Sequence, residues 1–322
     1  MPLRGKTAWM ISDGKAGNDV QARGVLEALG MNIVVKHVAP RGLHKALSPW
    51  MGVARSEHFG ALGTEFSRPW PDVATAIGRL TTPYIRALKK MAGPDVFTVI
   101  LQDPKVSLAT ADLFWVPEHD QLRGANVITT LTAPHGFGSS RLDELRRFMP
   151  EDIARLPRPL MGVMLGGSNG DYTYTPAALD RLAGILKTLA QRGVGLMITP
   201  SRRTEPEIIA RARKATEGMP RIFWDMTGDN PYPSFLAHAD VFLAPADSVN
   251  MTGEPCSTGR PVYVFYPDGG SPKFKRFHEA LERHGATRPM RDGSESLEAW
   301  SYEPLNSTQA IADEIARRWS NR

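Results

Sequence analysis

Short apolar runs alternate with helix-like stretches along the whole chain, and nothing else in the sequence restricts the fold so strongly. The first set of runs is Thr7–Ile11, Ile33–Val38, Val96–Leu101, Leu113–Val116 and Val127–Thr130. The second is Leu160–Leu165, Gly195–Thr199, Arg221–Trp224, Val241–Ala244 and Val262–Phe265. Each is four to six residues long and mostly apolar throughout. A strand reads this way when helices cover both faces of its sheet. Helical stretches such as Val20–Leu29, Ala177–Gln191, Glu205–Ala215 and Lys273–His284 lie between them. That alternation predicts parallel sheets with right-handed crossovers. Ten strands suit two sheets better than one very wide one. The expected fold class is therefore α/β, with two Rossmann-like domains.

The alternation restarts near residue 160. Just before it, RLPRPL (Arg155–Leu160) carries two prolines and follows a charged helical stretch, Arg141–Phe148. This reads as an interdomain linker. It predicts a first domain over 1–155 and a second over 156–305. One region departs from the pattern. Between Pro40 and Pro71 lie Trp50, Phe59, Phe66 and Trp70, interleaved with Arg41, Lys45, Arg55 and Arg68. It reads either as an irregular excursion packing its aromatics on its own domain or as an amphipathic surface segment.

Composition limits the partners. Of 322 residues, 42% are hydrophobic and 23% charged, as in a soluble globular protein. No apolar run reaches the roughly 18 residues a membrane span requires. The amino terminus does not read as a signal peptide, because a Gly/Asp turn stands where a cleavage site belongs. Cys256, the single cysteine, fits a reducing compartment and reads as buried filler. The expected location is the cytoplasm, with peripheral contact at an inner membrane left open. A net charge of +5 suits anionic ligands or weak attraction to anionic lipid. Nucleic acid is not expected, since no dense basic stripe with interleaved aromatics occurs. No H-E-x-x-H, C-x-x-C or D-x-D pattern calls for a metal.

Four loops carry candidate chemistry, each after a predicted strand. Ser12–Asn18 (S-D-G-K-A-G-N) holds Gly14 and Gly17 before a helix, an arrangement that brings backbone N–H groups to an anion. It is neither a dinucleotide fingerprint nor a Walker loop, and a plain turn is the alternative. Gly166-Gly167-Ser168-Asn169-Gly170 precedes a helix that Thr175 and Pro176 open, and it suits a diphosphate. Ser201-Arg202-Arg203-Thr204 offers guanidinium groups for a phosphate clamp, or a solvated pair at a helix start. The stretch from Ala239 to Val262 is richest. A strand ends in a polar loop, and a short helix is expected to carry Glu254. A carboxylate there can accept from both hydroxyls of a ribose, while Ser248, Met251 and Thr252 line the phosphate side.

These motifs resemble known families. The order G-G-S-x-G, S-R-R-T, A-D and D-S-x-x-M-x-x-E-x-x-x-x-G-x-P-V looks like the donor domain of GT-B glycosyltransferases. In such enzymes the residue matching Glu254 binds the nucleotide ribose, and the loop matching Gly166–Gly170 lies at the diphosphate. Over nearly its full length the chain resembles the Elm-type mitochondrial fission protein family. The shared features include S-D-G-K-A-G-N-x-x-Q-A at Ser12–Ala22, L-Q-D-P-K at Leu101–Lys105 and P-E-H-D at Pro117–Asp120. T-A-P-H at Thr132–His135, N-P-Y at Asn230–Tyr232 and A-D-S-V-N-M-x-x-E at Ala246–Glu254 complete the series. The resemblance implies a GT-B-like arrangement with the ligand in the cleft between domains. It also implies a terminal helix, near Ser307–Trp319 within 306–322, returning to the first domain.

The expected function is that of a nucleoside-diphosphate-sugar-dependent glycosyltransferase acting on an envelope or lipid-linked acceptor. No cofactor is expected beyond the nucleotide sugar as substrate. Two alternatives share the fold: a non-catalytic nucleotide-sugar-binding or membrane-remodelling scaffold, and a nucleoside-diphosphate-sugar epimerase. Glycosyl transfer needs a base for the acceptor hydroxyl. Asp13, Asp103 and His135 are the candidates, with His119 beside them, each in a loop after a predicted strand of the first domain.

Overall fold

The computed structural model describes residues 2–293 and 297–322. The chain divides into two compact units, Met1–Gly136 with Asn306–Arg322, and Phe137–Leu305.

The first unit runs β1 (Thr7–Ser12), α1 (Ala16–Ala28), β2 (Asn32–His37), α2 (Gly42–Ala46), β3 (Val73–Ile77), α3 (Thr82–Ala92), β4 (Phe97–Leu101), β5 (Leu113–Pro117) and β6 (Val127–Thr130). The second runs α4 (Ser139–Arg146), α5 (Glu151–Ala154), β7 (Leu160–Leu165), β8 (Tyr172–Thr173), α6 (Pro176–Gln191), β9 (Gly195–Pro200), α7 (Pro206–Ala215), β10 (Arg221–Phe223), α8 (Tyr232–His238), β11 (Val241–Pro245), α9 (Val249–Gly253), β12 (Val262–Phe265), β13 (Asp268–Gly269), α10 (Pro272–His284) and β14 (Thr287–Pro289). A final helix, α11 (Ser307–Ser320), belongs to the first unit.

Each unit is built on one six-stranded, wholly parallel sheet. The first has the order β2-β1-β3-β4-β5-β6 and the second β10-β9-β7-β11-β12-β14. The chain therefore reverses its direction of winding between β1 and β3 in one sheet, and between β7 and β11 in the other. In open α/β sheets such switch points leave a crevice at the carboxyl ends of the strands. Continuous burial along β3, β4, β5, β7, β9, β11 and β12 explains their unbroken apolar runs.

In the first unit, α1 and α11 cover one face through Val25, Leu26, Leu29, Ile311 and Ile315. Fully burying Ile311 and Ile315 contributes roughly 2 kcal/mol each. Polar latches fix α11 at its start. Thr132 and Ser307 share a hydroxyl bond, and Thr308 Oγ1 accepts from His135 N while donating to His135 O. On the other face, α3 packs with the excursion before β3. Phe59 and Phe66 stack, Phe66 stacks on Tyr84, and Trp70 meets Trp9 edge to face. The same excursion presents Leu43, Leu47 and Trp50 at 68%, 49% and 66% exposure, so it combines a packed part and an exposed part.

Two sequence expectations need correction. The division between units falls at Gly136, not within Arg155–Leu160. Helix α4 packs on α8 and buries Leu142. Arg146 Nε donates to Ala237 O, and His238 Nε2 pairs with Phe148 O. The prolines at 157 and 159 instead set the entry to β7, where Arg158 and Leu160 N both bond Asp240. The sequence pattern leaves out strands β3, β8, β13 and β14 and helices α2, α3, α5 and α8. Strand β3 is short and follows W-P-D, so its apolar run looks like the tail of a turn, yet it is an interior strand of its sheet.

Candidate functional site

In the second unit the switch point lies between β7 and β11, and the loops leaving these strands are bonded to one another. After β7, the Gly166–Gly170 loop does not enter a helix directly. Residues 172–173 form β8, a short ribbon with β13, before Thr175 caps α6. Gly166 and Gly167 are required by contact rather than by backbone angle. A Cβ on Gly166 would stand 1.9 Å from Asp247 Oδ1, and one on Gly167 would stand 2.2 Å from Arg203 O.

Asp247, on the β11 loop, is the hub. Its side chain is fully buried. It accepts from Gly167 N at 3.2 Å and Tyr174 Oη at 2.8 Å, and Arg203 Nη2 stands 3.4 Å away. Burial raises its carboxyl above the ordinary range against the pull of these partners. Burial likewise raises the Tyr174 hydroxyl well above its usual value, with Asp247 adding to the shift. Asn169 Nδ2 donates to Asp247 O, and Asn169 Oδ1 accepts from Asp171 N and Tyr172 N. The neighbouring N–H, on Ser168, donates to the Glu205 carboxylate at 2.9 and 3.3 Å. Ser168 Oγ accepts from Tyr174 N, leaving its own proton to give.

The Ser201–Thr204 loop is held against the end of β7. Thr204 Oγ1 donates to Leu165 O, and Ser201 Oγ accepts from Arg203 N. Arg202 is exposed beside it. Along the β11 loop, Ser248 Oγ caps α9 by accepting from Met251 N. Thr252 is fully buried and donates to Pro245 O and Ser248 O, so its hydroxyl serves the helix and does not line a ligand surface.

Glu254 lies past the end of α9, at the break before the 3-10 turn Pro255–Thr258, rather than on a helix as the sequence suggests. Its side chain caps neither segment. Instead Tyr232 Oη donates to Glu254 Oε2 at 2.5 Å. Burial pushes the Glu254 carboxyl up to about 7, the Tyr232 bond opposing. The residue is only half-buried, so part of it meets solvent. Cys256 is buried and donates to Thr252 O.

Between α10 and the β8–β13 ribbon a cavity of about 620 Å³ is lined by Tyr172, Tyr266, Gly270, Lys275, His278 and Glu282. It begins where the Gly166–Asn169 loop ends, through Tyr172. His278 Nε2 pairs with Ala246 O, and burial lowers its imidazole to about 4, so the ring is neutral. Sequence reasoning did not single out this cavity, Tyr174 or Glu205, and Tyr232 was quoted only inside the N-P-Y motif. Asp247 was quoted only inside the A-D-S motif.

In the first unit, the loop after β1 carries Asp13 with its side chain 1% exposed. Oδ2 pairs with Lys15 Nζ at 2.7 Å, while buried Oδ1 has no hydrogen-bond partner among the described residues. Gly14 needs its φ of +79°, and its Cβ position is open, as is that of Gly17. Asp103, after β4, has both oxygens engaged by Lys105, through its N–H and its ammonium. His135 is almost fully buried, its backbone latched to Thr308, and burial lowers its imidazole to about 4. His119 is buried as well. Among the described residues, no cluster of three or more His, Cys, Asp or Glu suits a metal, and no helix is long and apolar enough to cross a membrane.

The profile described as Mitochondrial fission ELM1 matches residues 16–319. Mitochondrial fission protein ELM1 of Arabidopsis thaliana is 29% identical over 287 residues, covering 80% of this chain and 67% of the relative. An uncharacterised protein of Rickettsia prowazekii is 31% identical over 159 residues, covering 48% of this chain and 45% of that protein. Among solved structures, MnaA of S. aureus with UDP matches 98% of this chain and 88% of its own, at TM-score 0.54 and 10% identity. The UDP-GlcNAc 2-epimerase of Methanocaldococcus jannaschii matches 98% and 100%, at TM-score 0.53 and 10% identity. MurG of Acinetobacter baumannii matches 98% and 95%, at TM-score 0.50 and 15% identity. At these identities the likeness is one of fold, that of GT-B glycosyltransferases and epimerases.

Proposed function

This chain belongs to the mitochondrial fission ELM1 family, and from that premise we propose that it is a nucleoside-diphosphate-sugar-dependent glycosyltransferase acting on an envelope or lipid-linked acceptor. One observation carries the reading. The loops from β7, β9 and β11 meet at the switch point of the second sheet, with Glu254 held by Tyr232 and not spent on capping its own helix. Glu254 accepts the ribose hydroxyls through its accessible edge. Ser168, Asn169, Ser248 and the Arg202–Arg203 pair serve the diphosphate, and the cavity along α10 takes the sugar. For the base we infer Asp13: its Oδ1 is buried but has no hydrogen-bond partner among the described residues, so turning the side chain outward presents it, whereas both oxygens of Asp103 are engaged by Lys105. The UDP-bound state of MnaA supports the nucleotide part of this reading.

The test begins with thermal-shift measurements against UDP-, GDP-, ADP-, CDP- and dTDP-sugars. A specific ligand at ten to a hundred times its Kd adds about 1.4–2.7 kcal/mol of stability. Release of nucleoside diphosphate from the best ligand, dependent on a lipid-linked acceptor, is the expected result. Binding without release for every acceptor leaves a binding scaffold. Sugar inversion without acceptor identifies an epimerase.

A second reading has its own observation and concerns a membrane surface. Leu43, Leu47 and Trp50 follow helical spacing and are exposed together, with Arg41 and Lys45 exposed beside them. The segment is fixed from behind. Arg79 Nη1 donates to Lys45 O and Ser48 O, Arg86 donates to Pro49 O and Trp50 O, and Trp50 Nε1 donates to Lys105 O. A rigid apolar ridge flanked by cations suits an anionic bilayer. Co-sedimentation with phosphatidylglycerol vesicles should fall when Leu43 and Trp50 become serine, and also when Arg41 and Lys45 become glutamine. Unchanged binding in both variants rejects the surface.

A further inference from the structure

The loop assigned to the diphosphate already holds two anions, both supplied by the chain. Gly167 N–H is taken by Asp247 and Ser168 N–H by Glu205. The two carboxylates differ in how firmly they are held. Asp247 is buried and bonded to Tyr174 as well, so it is a fixed part of the loop. Glu205 is the residue before α7. Its backbone O accepts from Ile208 N and Ile209 N, but its side chain does not cap the helix, and no cation pairs with it among the described residues. Only its side-chain rotation is needed to release Ser168. The contact is also built in: a Cβ on Gly167 would stand 3.0 Å from Glu205 Oε2 and 2.2 Å from Arg203 O, so the segment 203–205 reaches the loop only because glycine is there.

We propose that Glu205 is an intramolecular competitor for the ligand's phosphate: its carboxylate fills the Ser168 N–H, and an anionic ligand binds by displacing it. Carboxylate and phosphate oxygens are equivalent acceptors for a backbone N–H, and charge assistance favours whichever carries more charge and more contacts. A diphosphate meets this demand better than a monophosphate. Arg203, freed from its long contact with Asp247, is placed to follow the incoming anion. Glu205 thereby sets a threshold that admits diphosphates and excludes singly phosphorylated ligands and weak anions. This rests on the nucleotide-sugar reading of the site, and the experiment separates the two.

The full-length protein is titrated calorimetrically with inorganic pyrophosphate, inorganic phosphate, UDP, GDP, ADP, CDP and dTDP, as wild type, Glu205→Ala and Glu205→Gln. Removing a like charge from an anion site is expected to raise pyrophosphate and nucleoside-diphosphate affinity roughly tenfold in Glu205→Ala. Affinity for phosphate should rise more, narrowing the preference for the diphosphate. Glu205→Gln keeps the shape and removes the charge, so it should gain as well and controls for any loss of folding in the alanine variant. If a nucleoside diphosphate binds wild type and both variants equally, or binds the variants more weakly, the competitor role is overturned while the nucleotide site stands. If no diphosphate binds any of the three proteins, the nucleotide reading itself fails and the role of Glu205 fails with it.

Discussion

The first turn of each sheet carries glycines before a helix, yet the two turns are built on different physics. After β1, Ser12–Asn18 enters α1 within a few residues. Its carboxylate, Asp13, pairs with a lysine two positions away, and the space around Gly14 and Gly17 is open. After β7, Gly166–Gly170 is pressed between the β9 and β11 loops and bonded to both. The first turn is local and solvated on one side. The second is a tertiary joint whose glycines exist to let other backbone approach. A glycine-rich βα turn therefore does not by itself reveal whether its N–H groups are available to a ligand.

The largest effect should come from the hub of the crowded turn. Asp247→Ala leaves Tyr174 Oη and Gly167 N buried without their acceptor and is expected to cost roughly 1–3 kcal/mol for each in urea unfolding. The counterpart in the open turn, Asp13→Ala, should cost less than Asp247→Ala, since its partner Lys15 is exposed and is solvated once the carboxylate is gone, while abolishing acceptor-dependent turnover. Equal losses in the two variants would erase the contrast between the turns.

Next in size is Glu254→Ala. Two charge-assisted bonds to ribose at roughly 1.5–3 kcal/mol each predict at least a tenfold loss of nucleotide affinity. Calorimetry with the best nucleotide reads it, and unchanged affinity removes Glu254 from the ribose. The same residue makes binding and stability respond oppositely to pH. Its folded value, about 7, lies above the ordinary 4.5. The folded chain thus holds this proton more tightly than the unfolded chain, a stabilisation complete below about 4.5 and lost as pH rises to 7. Ribose binding uses the ionised form, so affinity should weaken as pH falls through about 7. Glu254→Gln should flatten both profiles, and a pH-independent wild type would contradict the assignment.

The smallest effect tests the latch of α11. Thr308→Val removes the two bonds with the His135 backbone and should cost about 1–3 kcal/mol. Hydrogen exchange should rise across α11 while β7 to β14 stay protected. Protection lost equally in both units would show that the latch is not local to the first.

Much of the architecture was legible because parallel sheets leave a direct imprint on sequence. Continuous apolar runs, a threonine–proline helix start at Thr175-Pro176 and the restart of alternation follow from burial on both faces and from capping. Strand β3 escaped because five residues after a proline turn carry too little periodicity. The position of Glu254 was legible, but its support was not: Tyr232 lies 22 residues away, and no local rule pairs them. Thr252 was misjudged because a hydroxyl's direction depends on which carbonyls the helix offers it.

By itself, then, the sequence determined the layered α/β class, most of the strands of the two large sheets and the loops that end at the carboxyl edges, because these follow from local periodicity and hydrophobic burial. Tertiary structure alone decided which loops lie side by side and in what state of charge. Strand order places β7 between β9 and β11, and that adjacency turns Asp247 into a buried hub and brings Glu205 to Ser168. The reason is that hydrogen bonds and desolvation act between groups brought together by the sheet, across separations that no local pattern records.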